Sequence, residues 1–548
     1  MASALWKKFF PSPEPASAEE SSDAAQNNAS TFTETSAEPD SKAPANAVHQ
    51  SPSEERPNEE AQDGVTQAEA ITLVMWCLYL VNAFQSQVTS NLSAYITSDF
   101  ESHSLIPLIA TVSSVMAAGT YMPVAKILNL WDRSTGFALM VLFAVLGLIL
   151  SATCNGIATY CAAQVFYSVG FSGLIFCVDV ITADTSTLRD RGLAYAFTSS
   201  PYIITAYAGP AAAAHFYENN WRWGYGCFAI VLPAVALPMF CLLQWNKHLA
   251  KKRGLLQKRE HVDRTVVQSI IHYVIEFDLL GVFLLTAGLV LFLLPFTLAG
   301  SAAGDWDSAH IIVMLVVGIA CLLAFVAVEH WVAPVPFLPW EMLATRTVLG
   351  ACLIDATYQI AYYCWFDYYT SYLQVVYGVS ISTAGYITSI FDVVSGPHWS
   401  VGYNIMCQIF LAFSGGTMII VQQVAVLAVA DHNNAASALA FLNVFGNMGS
   451  AVGSSISGAI WTHTLPAALR RLLPDSAKAD WETIYDSLDV QLSYERGTPV
   501  RHAINLAYAE AQSKMLIAGT AIMALSLGWM FLVKDLKVTK AQTKGVLF

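Results

Sequence analysis

From Ile71 onward the chain repeats one pattern: apolar stretches of about 20 residues, each long enough to cross a hydrocarbon core as a helix. Twelve of them lie near 71–96, 105–125, 136–154, 157–181, 193–217, 222–244, 279–299, 309–330, 347–372, 401–430, 436–462 and 514–533, and a shorter one is left at 381–396. Inside lipid every backbone N–H and C=O must be paired within its own segment, so these spans are helices rather than open strands. The expected fold class is therefore all-α, a polytopic membrane protein. Only 12% of the 548 residues are charged and 55% are hydrophobic. Soluble domains carry about 25% charged residues, so this chain has too few charges to coat a surface facing water.

Residues 1–68 differ in kind. They are rich in Ser, Ala, Glu, Pro and Asn, hold much of the acid behind the net charge of -13, and have almost no aliphatic content after Phe10. A segment of that composition buries too little apolar area to offset its ordering entropy, and reads as a disordered tail. Lysine and arginine in the short loops set the orientation. Lys126 and Arg133 sit in the second loop, Arg189 and Arg191 in the fourth, and Lys247, Lys251, Lys252, Arg253, Lys258, Arg259 and Arg264 in the sixth. The first and seventh loops carry acid only, so the even-numbered loops and both tails are expected on the cytoplasmic side. The resulting plan is a tail at 1–68, a first six-helix half at 71–244, a basic linker at 245–278, a second half at 279–533 with a large loop at 463–513, and a tail at 534–548. Two helical halves around a midplane site are the plan of the major facilitator fold.

No basic patch interleaved with aromatics suggests nucleic acid, and no phosphate-binding glycine loop with its lysine suggests ATP. No nucleophile–base pair stands out, so an enzyme is not expected. All ten cysteines lie in apolar segments without metal or redox spacing, which implies neither a metal site nor any other cofactor.

The stretch from Ala125 to Arg133 resembles the signature loop of major facilitators, with Asn129, Asp132 and Arg133 at its end. The run from Gln164 to Trp223 is more specific: Asp179, then Ala183-Asp184-Thr185-Ser186, Ser200-Pro201-Tyr202-Ile203, Ala208-Gly209-Pro210 and Trp221-Arg222-Trp223. With Ser414-Gly415-Gly416-Thr417, Gly453 to Trp461 and Gln491-Leu492-Ser493-Tyr494, it resembles the fungal siderophore–iron transporters, a branch built with fourteen spans. The resemblance implies uptake of a ferric siderophore of the hydroxamate type, coupled to protons. The siderophore fills the iron's ligand shell, so no metal-ligand cluster is needed on the protein. A monomer in the plasma membrane is expected, an intracellular vesicle membrane being the alternative.

Three departures accompany the resemblance. Asn129 and Asp132 stand where the signature loop usually has Asp and Gly, and Asn82 where relatives tend to carry an Asp in the first span. The third is larger. After Val393-Val394-Ser395-Gly396 the chain jumps at Pro397 to the lead of the next helix, some 50 residues short by family comparison. The span count becomes 12 or 13, depending on whether 381–396 crosses. A missing or wrongly spliced exon accounts for this, and a genuine variant is the alternative.

Carboxylates within a span are costly unless paired or hydrated, and mark function. Asp179 and Asp367 are the candidates for proton coupling; a helix-packing hydrogen bond is the competing role for Asp179. On the ninth span Asp355, Tyr358, Tyr362, Trp365 and Tyr369 share an arc of about 80° at 100° per residue. Such a stripe suits a bulky amphiphilic ligand, although tyrosine and tryptophan also anchor helices at the headgroups. Tyr202 joins Asp355, Tyr358, Tyr362 and Trp365 as a candidate ligand contact. Asn129, Asp132, Arg133, Asp184 and Arg191 are candidates for a conformational charge network. Pro201 and Pro210 mark places where the fifth span can bend, and Gly449, Gly453, Ser457 and Gly458 place small residues on one packing face. Against the siderophore symporter stand a proton-driven drug or toxin exporter on the same scaffold, and a product that binds ligand without moving it.

Overall fold

The computed structural model describes residues 59–130, 132–186, 191–252, 265–299, 302, 305–335, 337, 345–389, 401–429 and 435–534, without side chains at 59–70, 129–130, 191, 266, 401–414 and 435. The junction at 396–397, most of the basic linker, the C-terminal tail and the side chains of Asn129 and Arg191 lie outside them, as does the N-terminal tail up to residue 58. Residues 1–66 form one unit, described only from Glu59, and residues 67–548 a second.

Helices and their connections make up the described residues, with no strand among them. The first half contains α1 (Glu59–Asp99), a short 3-10 turn (His103–Leu105), α2 (Ile106–Leu130), α3 (Arg133–Thr153), α4 (Ile157–Thr185), α5 (Arg191–Ser199), α6 (Pro201–Asn219) and α7 (Trp223–Lys252). Then come α8 (Val266–Glu276), α9 (Leu279–Leu298), α10 (Ala309–Trp331), α11 (Arg346–Phe366), α12 (Tyr369–Tyr372), a π turn (Leu373–Tyr377) and α13 (Ile381–Ser389). The chain closes with α14 (Val401–Val429), α15 (Ala435–Leu472), α16 (Trp481–Asp486), α17 (Leu488–Ser493) and α18 (Pro499–Trp529).

Eight of the described helical stretches are long and apolar enough to cross a membrane, from Ile71–Asp99 to Pro499–Leu532. The expected spans at 193–217, 347–372 and 436–462 are helical too, but more polar than those eight. α15 alone carries Asn443, Asn447, Ser450, Ser454, Ser455 and Ser457, which a helix facing lipid would not hold and one inside a bundle can.

Three boundaries differ from expectation, each for a local reason. The fifth span is two helices, broken at Ser200, because Pro201 has no N–H to continue the ladder and instead opens α6 as its first residue. The ninth span ends at Phe366, and Tyr369 belongs to the separate α12. The loop expected at 463–513 is corrected to 473–498. Leu465, Ala468, Leu469 and Leu473 carry the apolar period of α15 outward and are buried against Ile504 and Tyr508 of α18. The Thr498 side chain then caps α18, with Pro499 in its first turn.

The halves meet chiefly where α2 packs along α15, while α11 lies against α14, α15 and α18, and α9 against α2, α10 and α15. Glycines set the closest approach. A side chain at Gly449 would strike the backbone of Ala356, and one at Gly453 the backbone of Ile360, so α11 and α15 touch backbone to backbone.

Candidate functional site

Every third residue of α1 from Trp76 to Asn82 is polar-tipped, and the structure aims all three at the first half's interior. Trp76 donates through Nε1 to Ser200 Oγ at 2.9 Å, at the α5–α6 break. Tyr79 donates its hydroxyl to the Asp179 carboxylate on α4. Asn82 Nδ2 donates to the Tyr202 hydroxyl at 3.3 Å. Tyr195 of α5 closes the group with a 3.1 Å bond to the Asp179 carbonyl. Asp179 and Asn82 are buried, whereas the Tyr202 ring stays 40% exposed. Asp179 and Tyr202 are thus brought together, with Tyr79 and Asn82 between them.

On α11, Asp355, Tyr358 and Trp365 are buried and Tyr362 half-buried. Asp355 lies beside Gly446 of α15, and among the described residues its carboxylate has no hydrogen bond or ion pair. Tyr358 points its hydroxyl at Gly415 of α14, where any side chain would collide with it. The Tyr362 ring lies 6.2 Å from Tyr358 and 5.5 Å from Trp365. Trp365 itself packs beside Gly519 of α18. Asp367, just past the helix, stands against Ser454. The stripe is therefore real as a row, but its members face three different neighbours.

Tyr121 of α2 links the two groups. Its ring meets Phe176, one turn before Asp179, at 5.6 Å. Its hydroxyl accepts from Asn447 Nδ2 at 3.4 Å, next to the Gly446 that borders Asp355. Asp179 and Asp355 thus flank the α2–α15 seam between the halves.

At the end of the bundle that holds the α2–α3 turn, charges pair across helices. Asp132 caps α3 by accepting from Thr135 N at 2.7 Å, and binds Lys247 of α7 at 2.8 Å. Arg133 pairs with Asp184 at 3.2 Å and donates to the Leu128 carbonyl at 2.6 Å. Partial burial pushes the Asp132 carboxyl up, but bonds from Lys247, Ser134 and Thr135 outweigh it and hold the group well below the usual carboxylate range. Asp132–Lys247 and Arg133–Asp184 are thus two ion pairs beside the same turn.

At the opposite end, the buried Arg501 of α18 donates to the carbonyls of Val375, Gln491 and Tyr494. Tyr95 of α1 donates to the Gln374 side chain. Ser104 binds Asp486 at 3.2 Å, Tyr217 binds Asp489 at 2.9 Å, and Leu488 N donates to Ser98 at 3.1 Å. The 473–498 stretch is thereby fastened to both halves.

Residues 75–402 match the model of the Major Facilitator Superfamily. The chain is 69% identical to the "MFS siderochrome iron transporter D" of Aspergillus fumigatus, covering 93% of this chain and 94% of that one. It is 45% identical to the "Siderophore iron transporter mirB" of Emericella nidulans, over 90% of each. The chain belongs to the siderophore iron transporters of the Major Facilitator Superfamily. As a member of that family it is a transporter, not an enzyme. Its fold is shared with a bacterial homologue of the human lysosomal transporter Spinster, at a TM-score of 0.51 and 13% identity, over 84% of this facilitator and 96% of that chain.

The first alignment runs over 561 positions but takes in 93% of the 548 residues here, about 510, so some 50 positions of the facilitator from Aspergillus have no counterpart in this one. That shortfall is the size expected at Gly396–Pro397. Three site residues escape sequence reading. Tyr79 and Tyr121 look like ordinary apolar-span tyrosines, and Asn447 like one more polar residue of α15. The usable signal was the rule that an intramembrane carboxylate needs a partner, applied to Asp179.

Proposed function

We propose that this facilitator imports ferric siderophores of the hydroxamate type, driven by protons moving down their gradient. The observation that carries the reading is the placement of Asp179 and Asp355 on either side of the α2–α15 seam, where rocking of one half against the other changes their surroundings most. The names of the relatives supply the ligand class. Tyr202, Tyr358 and Tyr362, together with Asp355, are proposed ligand contacts; an accessible Tyr202 ring whose hydroxyl reaches buried Asn82 suits the wall of an inner space. Trp365, enclosed against α18, supports the wall from behind. Asp179 is proposed to carry the proton: taking it up removes the negative charge that Tyr79 stabilises, and frees α1 from α4 for the next conformation. Asp367 is the second proton candidate. The Asp132–Lys247 and Arg133–Asp184 pairs are proposed to brace the cytoplasmic end of the first half, with Arg191 and Asn129 assigned to the same region, and both tails in the cytoplasm of a plasma-membrane monomer.

Uptake of radio-iron siderophore into a strain lacking its own transporters tests this. Accumulation abolished by a protonophore is expected. Protection from a toxin with no iron gained would instead mean an exporter. A second reading, a variant that binds ligand without transporting it, is favoured by the roughly 50 unmatched positions; binding without accumulation would establish it.

A further inference from the structure

Helix α8, Val266–Glu276, is too short to span a bilayer and lies between the basic linker and the long apolar α9. At 100° per residue, Val267, Ile270, Ile271 and Val274 fall within one arc of about 100°. They are 65%, 57%, 46% and 40% exposed. Gln268, Ser269, His272 and Glu276 occupy the opposite side. The helix is capped at its start and tied to the bundle at its finish. Thr265 and Gln268 form a reciprocal capping box at its start. At its finish Lys126 of α2 donates to the Glu276 carbonyl at 2.7 Å. A fixed helix thus presents branched apolar side chains away from the protein, with no covering element among the described residues.

The surroundings say what covers it. After two intervening residues come Leu279, Leu280 and Phe283 of α9, 45%, 51% and 65% exposed on a helix apolar enough to cross a membrane. The stripe is therefore followed directly along the chain by the exposed apolar start of a candidate membrane span. Charge points the same way: Lys251 and Lys252 are exposed in the last turn of α7. That turn lies at the same end of the bundle as Lys126, as the Lys247–Asp132 pair shows. An amphipathic helix beside exposed lysines binds an anionic lipid surface by apolar insertion plus charge.

We infer that α8 lies in the plane of the leaflet next to the α2–α3 turn, its Val267–Val274 stripe sunk among acyl chains and its neighbouring lysines on anionic phospholipid headgroups. The assignment is independent of which ligand the protein carries.

Hydrogen exchange of the full chain in nanodiscs tests it, comparing phosphatidylcholine alone with phosphatidylcholine plus phosphatidylserine. Amides of 266–276 should exchange about threefold or more slowly in the anionic discs. Ile270→Glu with Val274→Glu should remove that protection while α9 amides stay protected. Lys251→Gln with Lys252→Gln should shrink the preference for anionic discs, and decides the matter if the first variant disturbs α9. Equal exchange in the two lipids, an unchanged preference in the lysine variant, or protection that follows the number of protein copies per disc would each overturn the inference, the last assigning the stripe to a second copy.

Discussion

Asp179 and Asp355 are both buried aspartates in membrane helices, yet their environments differ. Asp179 has the Tyr79 hydroxyl, and Asp355 has no hydrogen-bond partner among the described residues. A carboxylate that keeps a donor in one state and loses it in another suits a proton carrier, so Asp179→Asn should lower siderophore uptake by about tenfold or more while leaving binding measurable. Tyr79→Phe deletes only the donor, a loss of about 1.5–3 kcal/mol for a bond to a charged group, and should shift the pH profile of uptake rather than abolish it. Full uptake with an unmoved profile in both variants would remove Asp179 from the mechanism. The aspartates were legible in the sequence because a carboxylate in an apolar run is conspicuous. Their partners were not, because Tyr79 lies 100 residues from Asp179 and is as apolar as its neighbours.

Elements are fixed by glycine and by caps. The backbone contact of α11 with α15 at Gly449 and Gly453 leaves no room for a side chain, so Gly449→Leu should destabilise the protein by about 1–3 kcal/mol and lower its melting temperature in detergent. The small-residue face of α15 was readable beforehand, but its partner helix was not. The segment fastened across the opposite end carries its own pH dependence. Burial raises the Asp486 carboxyl, Ser104 partly opposes this, and Glu482 and Glu101 add to it. A carboxyl raised in the folded state binds more protons there than when unfolded. Its contribution therefore favours the folded segment as pH falls from the raised value toward the ordinary carboxylate value, and disfavours it above. Protection factors of amides in 473–498, taken relative to intrinsic exchange at each pH, should accordingly rise on mild acidification, and Asp486→Asn should flatten that response. The length of this segment was overestimated from sequence because Leu465 to Leu473 are paired by α18, which hydropathy along one helix cannot reveal.

For the whole molecule, the roughly 50 unmatched positions matter most. If the gene's transcript carries them, sequencing across the codons for Gly396 and Pro397 will show extra coding sequence, and the longer chain should take up siderophore faster than the 548-residue form. An unbroken transcript with full uptake by the shorter chain would make the gap a tolerated variation. Helical character, and eight of the expected spans, followed from the sequence alone, because lipid leaves a backbone few ways to satisfy its polar groups and a helix of fixed rise needs a fixed apolar length. The signature residues Asp132, Arg133 and Asp184 were also visible, being charges at the ends of apolar runs. Tertiary structure alone decided which helices touch, that Asp179 meets Tyr79, that Trp365 faces α18 while Tyr358 faces α14, and that α15 runs on to Leu472 against α18. Those contacts depend on how helices rotate and seat against one another, and a pattern repeating every 3.6 residues gives each helix a face without saying which neighbour will fill it.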